Sequence, residues 1–358
     1  MPPAPGPDDV VAARCTAQLL SGPPATTAED AVRRVLAVQG QDPRGFRLAV
    51  RARTSGVVAA DVDAALTGPR SLVVSWLNRG TLHLVTAEDF WWLHDLTTPQ
   101  LAAESARRLQ QEGVDPVLAE RGIETVVAAI TEHGPRTREE LRAALDAAGV
   151  PTAGQALVHV LLAATLRHRL IRGPVRDREH CMVLAEHWLG PAPEPLDRAA
   201  ALERLARRYL AGHGPAADRD LAMWAKLPLR DARAGLAAIA DETVPAGDGL
   251  VDLAERAPVQ PAPTRLLGNF DPVLHGWVSR QPVLGAHDPD VVLGGVFRSF
   301  AMAEGRAVAL WRIAGDRVRI APFEPLAARA ERVLLADAEA VAGYLGLPAK
   351  APVLEAAG

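Results

Sequence analysis

Lysine is nearly missing from this sequence. Of the 39 basic residues in a chain of 358, only Lys226 and Lys350 are lysine. The rest are arginine, whose planar fork grips phosphate or carboxylate through two hydrogen bonds, where an ammonium acts as a point charge. Cysteine is almost as scarce. Cys15 and Cys181 are the only two, which excludes a disulfide framework and any paired-cysteine zinc signature. No apolar run is long enough to span a bilayer. The opening stretch, MPPAPGPDDV, lacks the basic and apolar regions of a signal peptide, so the expected location is cytoplasmic. A Walker A loop, a GxSxG elbow and an HExxH helix are absent too. His180, Cys181 and His187 read as core or surface positions. Neither a metal nor a cofactor is implied.

What is present is ordinary in bulk and uneven in detail. Hydrophobic residues make up 49 % and charged residues 23 %, as in a globular protein, and the length calls for two to four modules. The net charge of −4 does not advertise nucleic-acid binding. Position says more. Residues 31–53 hold Arg33, Arg34, Arg44, Arg47, Arg51 and Arg53 against one acid, Asp42. Residues 167–178 hold Arg167, Arg169, Arg172, Arg176 and Arg178 against Asp177. Such patches suit a face that meets phosphate; each alone equally suits a solvated surface.

Periodicity and caps outline the architecture. Thr27 is a candidate N-cap with Glu29 and Asp30 in the first turn, and Val32, Val35, Leu36 and Gln39 follow at helical spacing. This predicts a helix that buries Gln39 in its last turn and ends at Gly40, before Pro43. A short helix near 59–66 precedes two strands, 72–77 and 81–85, around Asn78-Arg79-Gly80, and Thr86 then caps a helix. Helices followed by a hairpin with a basic tip outline a winged helix. Two stretches repeat at a distance of one small domain: HGPRTREEL (133–141) and HGPAADRDL (213–221). In the first, Thr137 and Glu140 form a capping box. A helix over 155–168 and a hairpin with basic turn residues follow. Downstream of the second lie helices near 218–225 and 230–240, then a weaker hairpin at 243–254. After the linker APVQPAP come strand patterns at 291–300, 306–313 and 317–322, and a helix over 325–346. The expected fold class is therefore α+β: three tandem winged-helix domains (10–95, 115–190 and 197–256) plus a C-terminal β-rich, barrel-like domain (264–350).

Five segments occur in one order: VQGQDPRG, SWLNRGTLHLVTAEDFWWL, HGPRTREEL, LLGNFDPVLHGWVSR and GGVFRSFAMAEGRAVALWRI. Together, over about 10–350, they resemble the bacterial tandem winged-helix DNA glycosylases of the azinomycin-resistance (AlkZ) type and their broader YcaQ-like relatives. The resemblance implies a curved protein on double-stranded DNA that excises N7-alkylguanines, including both sides of interstrand crosslinks, in DNA repair and antibiotic self-resistance. It also implies that the lesion need not be flipped out of the duplex. The family's Gln-aliphatic-Gln signature maps onto Gln39-Gly40-Gln41, with glycine at the aliphatic position. The broader branch carries Asp in place of the second Gln, so Gln41 sides with the azinomycin-resistance branch. These two glutamines are the candidate catalytic residues.

Uncharged amides suit that chemistry. Alkylation at N7 already makes guanine a good leaving group, so no general acid is required. What remains is to place a water on C1′ as the sugar becomes oxocarbenium-like. Amides supply donors and acceptors and are less costly to bury than carboxylates. Candidate DNA contacts are Arg44, Arg47, Arg51, Arg53, Arg79, His83, Arg172, Arg176 and Arg178. Asn269 and Asp271 read as turn residues. The expected state is a monomer with no membrane association. From the residues alone, a winged-helix transcriptional regulator, a lesion-binding protein without catalysis, and helix capping by the two glutamines remain open.

Overall fold

The computed structural model describes residues 6–176 and 179–357, and its elements follow the capping chemistry closely. Thr27 accepts from the Asp30 amide and starts the helix Ala28–Val35. Thr86 starts Ala87–Thr97, and the reciprocal Thr137–Glu140 box starts Arg138–Ala147. No helix among the described residues is long and apolar enough to cross a membrane.

The chain forms two compact units. One runs from Ala64 to Ala201. Its strands Leu72–Leu77 and Thr81–Thr86 form an antiparallel hairpin in register from Leu72 opposite Thr86 to Leu77 opposite Thr81. A second hairpin, Leu170–Arg176 with Glu179–Leu184, joins the first where Val74 faces Arg172. Helices Pro116–His133, Arg138–Ala147 and Ala156–Leu166 cover this sheet, and Val126, Leu141, Leu157, Leu170 and Met182 share its core.

The other unit combines the chain up to Asp63 with everything from Leu202 on. Its sheet runs in the order Val353–Leu354, Arg317–Pro322, Arg306–Ala314, Phe300–Ala303, Arg265–Leu267. Only the pairing of the first two is parallel. The strands stay open at both edges, so the expected barrel-like closure is not what these residues form. Along Arg317–Pro322 every second side chain is buried, and the helix Ala328–Tyr344 lays Leu334, Ala338 and Val341 on that face.

The two HGP copies do equivalent work. Each ends a helix (Pro116–His133, Arg198–His213) and turns into the next (Arg138–Ala147, Asp218–Ala225). The residue after the proline bridges antiparallel to a later hairpin strand, Arg136 to Met182 and Ala216 to Val251. The acid in each copy, Glu140 or Asp220, accepts from the N-cap amide of its helix.

Candidate active site

The helix expected to carry Gln39 stops earlier. It ends at Val35, and Leu36 takes φ 64° and ψ −49°, with the Ala37 amide donating to the Val35 carbonyl at 2.7 Å. This is a γ-turn of positive φ, a conformation that costs about 1–3 kcal/mol at a non-glycine residue. Burial explains why it forms. Val35, Leu36, Ala37 and Val38 are all at most 4 % exposed. Four consecutive side chains cannot share one buried face of an amphipathic helix. The turn breaks the spiral and lets each find the core. Val38–Gln39 then continues as a two-residue strand.

That change of path brings the two amides together. Gln39 Nε2 donates to Gln41 Oε1 at 3.1 Å. Gln39 is 6 % exposed, whereas Gln41 is open to solvent. The pair thus has a buried root and an accessible end. Neither glutamine lies in the last turn of the helix Ala28–Val35, so capping does not account for them.

Asp42 follows at once and is committed to the backbone. Its Oδ1 accepts from the amides of Arg44 (2.8 Å) and Gly45 (2.9 Å), and Pro43 occupies the first position of the helix Pro43–Arg51. The start of this helix is pressed against the C-terminal motif. A Cβ on Gly45 would lie 2.5 Å from the carbonyl oxygen of Asn269, and one on Gly268 would lie 2.7 Å from Leu48 Cβ. Glycine at both positions permits this backbone approach. The Asn269 side chain accepts from Ser299, and the Tyr344 hydroxyl donates to the Arg47 carbonyl at 2.7 Å.

Most of the arginines offered as DNA contacts turn out to hold the protein to itself. Arg53 is 0 % exposed and clasps Asp271, also 0 % exposed, through bonds of 2.8 and 2.9 Å, while donating to Gln18 and the Ala49 carbonyl. A guanidinium sealed in this way cannot touch phosphate, and its assignment as a DNA contact is corrected. Arg51 makes a two-pronged pair with Asp337, and Arg47 pairs with Asp63. Arg44 is exposed. With Asp42, Asn269, Arg298, Ser299 and Arg312 it lines a polar recess of 260 Å³. Arg298 is exposed, and Arg312 is tied to Glu355. Sequence reasoning quoted the segment holding Arg298 and Arg312 but assigned them nothing. A second, larger recess (670 Å³) gathers Arg33, Arg34, Arg208 and Arg256. There burial and the neighbouring Arg256 hold the Arg34 pKa below its usual value.

The hairpin candidates sit in the other unit. His83 is 2 % exposed, hydrogen-bonds the Thr81 carbonyl at 2.9 Å, and has its pKa pushed down to about 3 by burial and by Arg79. It is a neutral core residue, and the DNA-contact assignment is corrected. Arg79 is partly buried in the turn, and its pKa is lowered by that burial. Arg172 lays its guanidinium 5.1 Å over Trp76. Arg176, at the end of its strand, pairs with Glu140 at 2.9 Å and keeps its side chain 45 % exposed. Arg178 lies outside the described residues.

A fold with these features is known among DNA glycosylases. The chain is similar to the structure of Streptomyces sahachiroi DNA glycosylase AlkZ, with a TM-score of 0.81 and 23 % identity over 99 % of this chain and 100 % of that one. No curated protein matches the sequence. Residues 32–344 match the family model described as DNA glycosylase AlkZ-like, and the chain belongs to that family. It is a DNA glycosylase, an enzyme that acts on DNA.

Proposed function

We propose that the enzyme hydrolyses the N-glycosidic bond of N7-alkylguanine in duplex DNA, interstrand crosslinks included, with Gln39 and Gln41 positioning the water. The observation that carries this reading is the amide pair: a mostly buried Gln39 bonded to a solvent-facing Gln41. An anchored amide and an accessible one together offer both an acceptor and a donor to a water on C1′. As the C1′–N9 bond breaks, its electron pair passes to the cationic base and neutralises it. Water oxygen bonds to C1′ and its proton leaves to solvent. Asp42 is not needed as a base; it organises the helix start.

Arg44 and Arg298, exposed around the adjoining recess, supply phosphate contacts that fix register without reading sequence. The strands Val292–Leu293 and Val296–Phe297 lead into Arg298 and expose Leu293 (68 %) and Val296 (54 %). Apolar side chains on such a hairpin suit contact with base edges or sugars in a groove.

The test is release of base from a duplex bearing one N7-methylguanine or a nitrogen-mustard crosslink, at saturating enzyme. Wild type releases base. Gln39→Ala and Gln41→Ala each lose about 100-fold or more of the single-turnover rate, the scale expected when a reactant is misplaced, while binding the duplex as before. Full activity in either variant would remove water positioning from that residue.

A further inference from the structure

A cluster far along the chain from the glutamines has the chemistry of a metal site. His94, Asp95 and His168 bring one ligand atom each within 4.8 Å of one another. His94 and Asp95 come from the helix Ala87–Thr97, and His168 from the turn between Ala156–Leu166 and Leu170–Arg176. All three belong to the Ala64–Ala201 unit.

The nitrogens are set for ligation. His94 is 0 % exposed, and its Nε2 makes no hydrogen bond. Its other nitrogen, Nδ1, lies 3.3 Å from Thr98 Oγ1. That hydroxyl already donates to the His94 carbonyl at 2.8 Å, so it accepts from Nδ1–H. A proton held on Nδ1 leaves the lone pair on Nε2, the tautomer that a metal requires, fixed by an outer hydrogen bond as in metal-bound histidines. His168 Nε2 is likewise buried without a well-formed hydrogen bond, and it lies 3.0 Å from Asp95 Oδ1.

Distance and access fit as well. Zn–N bonds of about 2.0–2.1 Å put tetrahedral ligand atoms roughly 3.3 Å apart. The His168–Asp95 pair lies close to that spacing at 3.0 Å, and one ligand atom from each of the three residues lies within 4.8 Å of the others. The side chains of His168 and Asp95 are 35 % and 37 % exposed, which leaves a solvent side for entry and for a water as fourth ligand.

We propose that His94 Nε2, His168 Nε2 and an Asp95 carboxylate oxygen bind one divalent transition-metal ion, with Zn²⁺ suited to this two-nitrogen, one-oxygen set. The ion would clip the helix to the turn that begins the second hairpin.

The test uses untagged full-length enzyme stripped with EDTA. Calorimetric titration with Zn²⁺ is expected to show one equivalent per chain, and Co²⁺ to give visible d–d bands that Zn²⁺ displaces. Asp95→Asn and His168→Asn should each weaken Zn²⁺ binding at least tenfold and abolish the bands; asparagine tolerates the positive φ (59°) at 168. Both variants should melt like the stripped wild type in EDTA, and only wild type should gain stability from Zn²⁺. Wild type that takes up no stoichiometric Zn²⁺, or variants that titrate like wild type, would overturn the site.

Discussion

Replacing Arg53 separates a structural cation from a DNA-binding one. Arg53→Met removes the guanidinium and keeps much of its volume. It strands the Asp271 carboxylate, whose remaining donor among the bonds described is the Val273 amide at 3.0 Å. Both partners are 0 % exposed, so no solvent screens the loss. Breaking a buried pair from one side costs about 3–5 kcal/mol. In a domain of this size each kcal/mol lowers the melting temperature by about 2–4 °C, so a fall of roughly 6–20 °C is expected. Arg53→Met/Asp271→Leu removes both charges and should recover much of that loss. Differential scanning calorimetry reads the melting points, and titration of duplex DNA at several salt concentrations reads any phosphate contact. The salt slope of a folded variant should match wild type. A variant that melts within a degree of wild type but loses about one unit of salt slope would refute the buried-pair reasoning and restore Arg53 as a phosphate ligand.

Arg44→Ala and Arg298→Ala should each lower the salt slope of duplex binding by about 0.9, the share of one neutralised phosphate, and leave melting unchanged; slopes equal to wild type would remove the recess from the DNA path. Gly45→Ala forces a Cβ within 2.5 Å of a backbone oxygen and should destabilise by about 1–3 kcal/mol in urea unfolding. Gly343→Ala, which meets nothing within 4 Å on the C-terminal helix, should be neutral or stabilise by about 0.4–1 kcal/mol. His83 binds its proton less readily folded than unfolded. Its contribution is full above pH 6.5 and is lost as pH falls from there toward about 3. His83→Gln should flatten melting temperature against pH in that window, and a profile parallel to wild type would show that His83 is not responsible.

Local signals made most of the fold legible. Thr27, Thr86 and Thr137 announce their helices because a side-chain oxygen three residues from an amide is a short-range device. The HGP repeat was visible for the same reason. The Leu36 turn was not, because leucine carries no turn signature. The stop comes from four adjacent side chains reaching the core, a tertiary demand that a helical period conceals. The arginines misled for a matching reason. Asp271 lies 218 residues from Arg53 and Asp337 lies 286 from Arg51, so no local window shows that their charges are already answered. Arg44, with no such partner described, is the one of the four after the glutamines that kept its expected exposure. The glutamines were singled out through family likeness, since their spacing alone also suited a helix cap, while their pairing depends on the turn that was missed.

The carboxylates that answer Arg47, Arg51 and Arg53 also shape how this enzyme travels. Each pair is close to neutral at a distance, so the arginine-rich segment adds less to the long-range field than its composition suggests. On undamaged duplex the expected consequence is short dwell time and rapid hopping rather than tight non-specific grip. On the proposed reading, a cationic base would then stand out for its chemistry at the amide pair, and residence on DNA would be set by the lesion more than by the backbone.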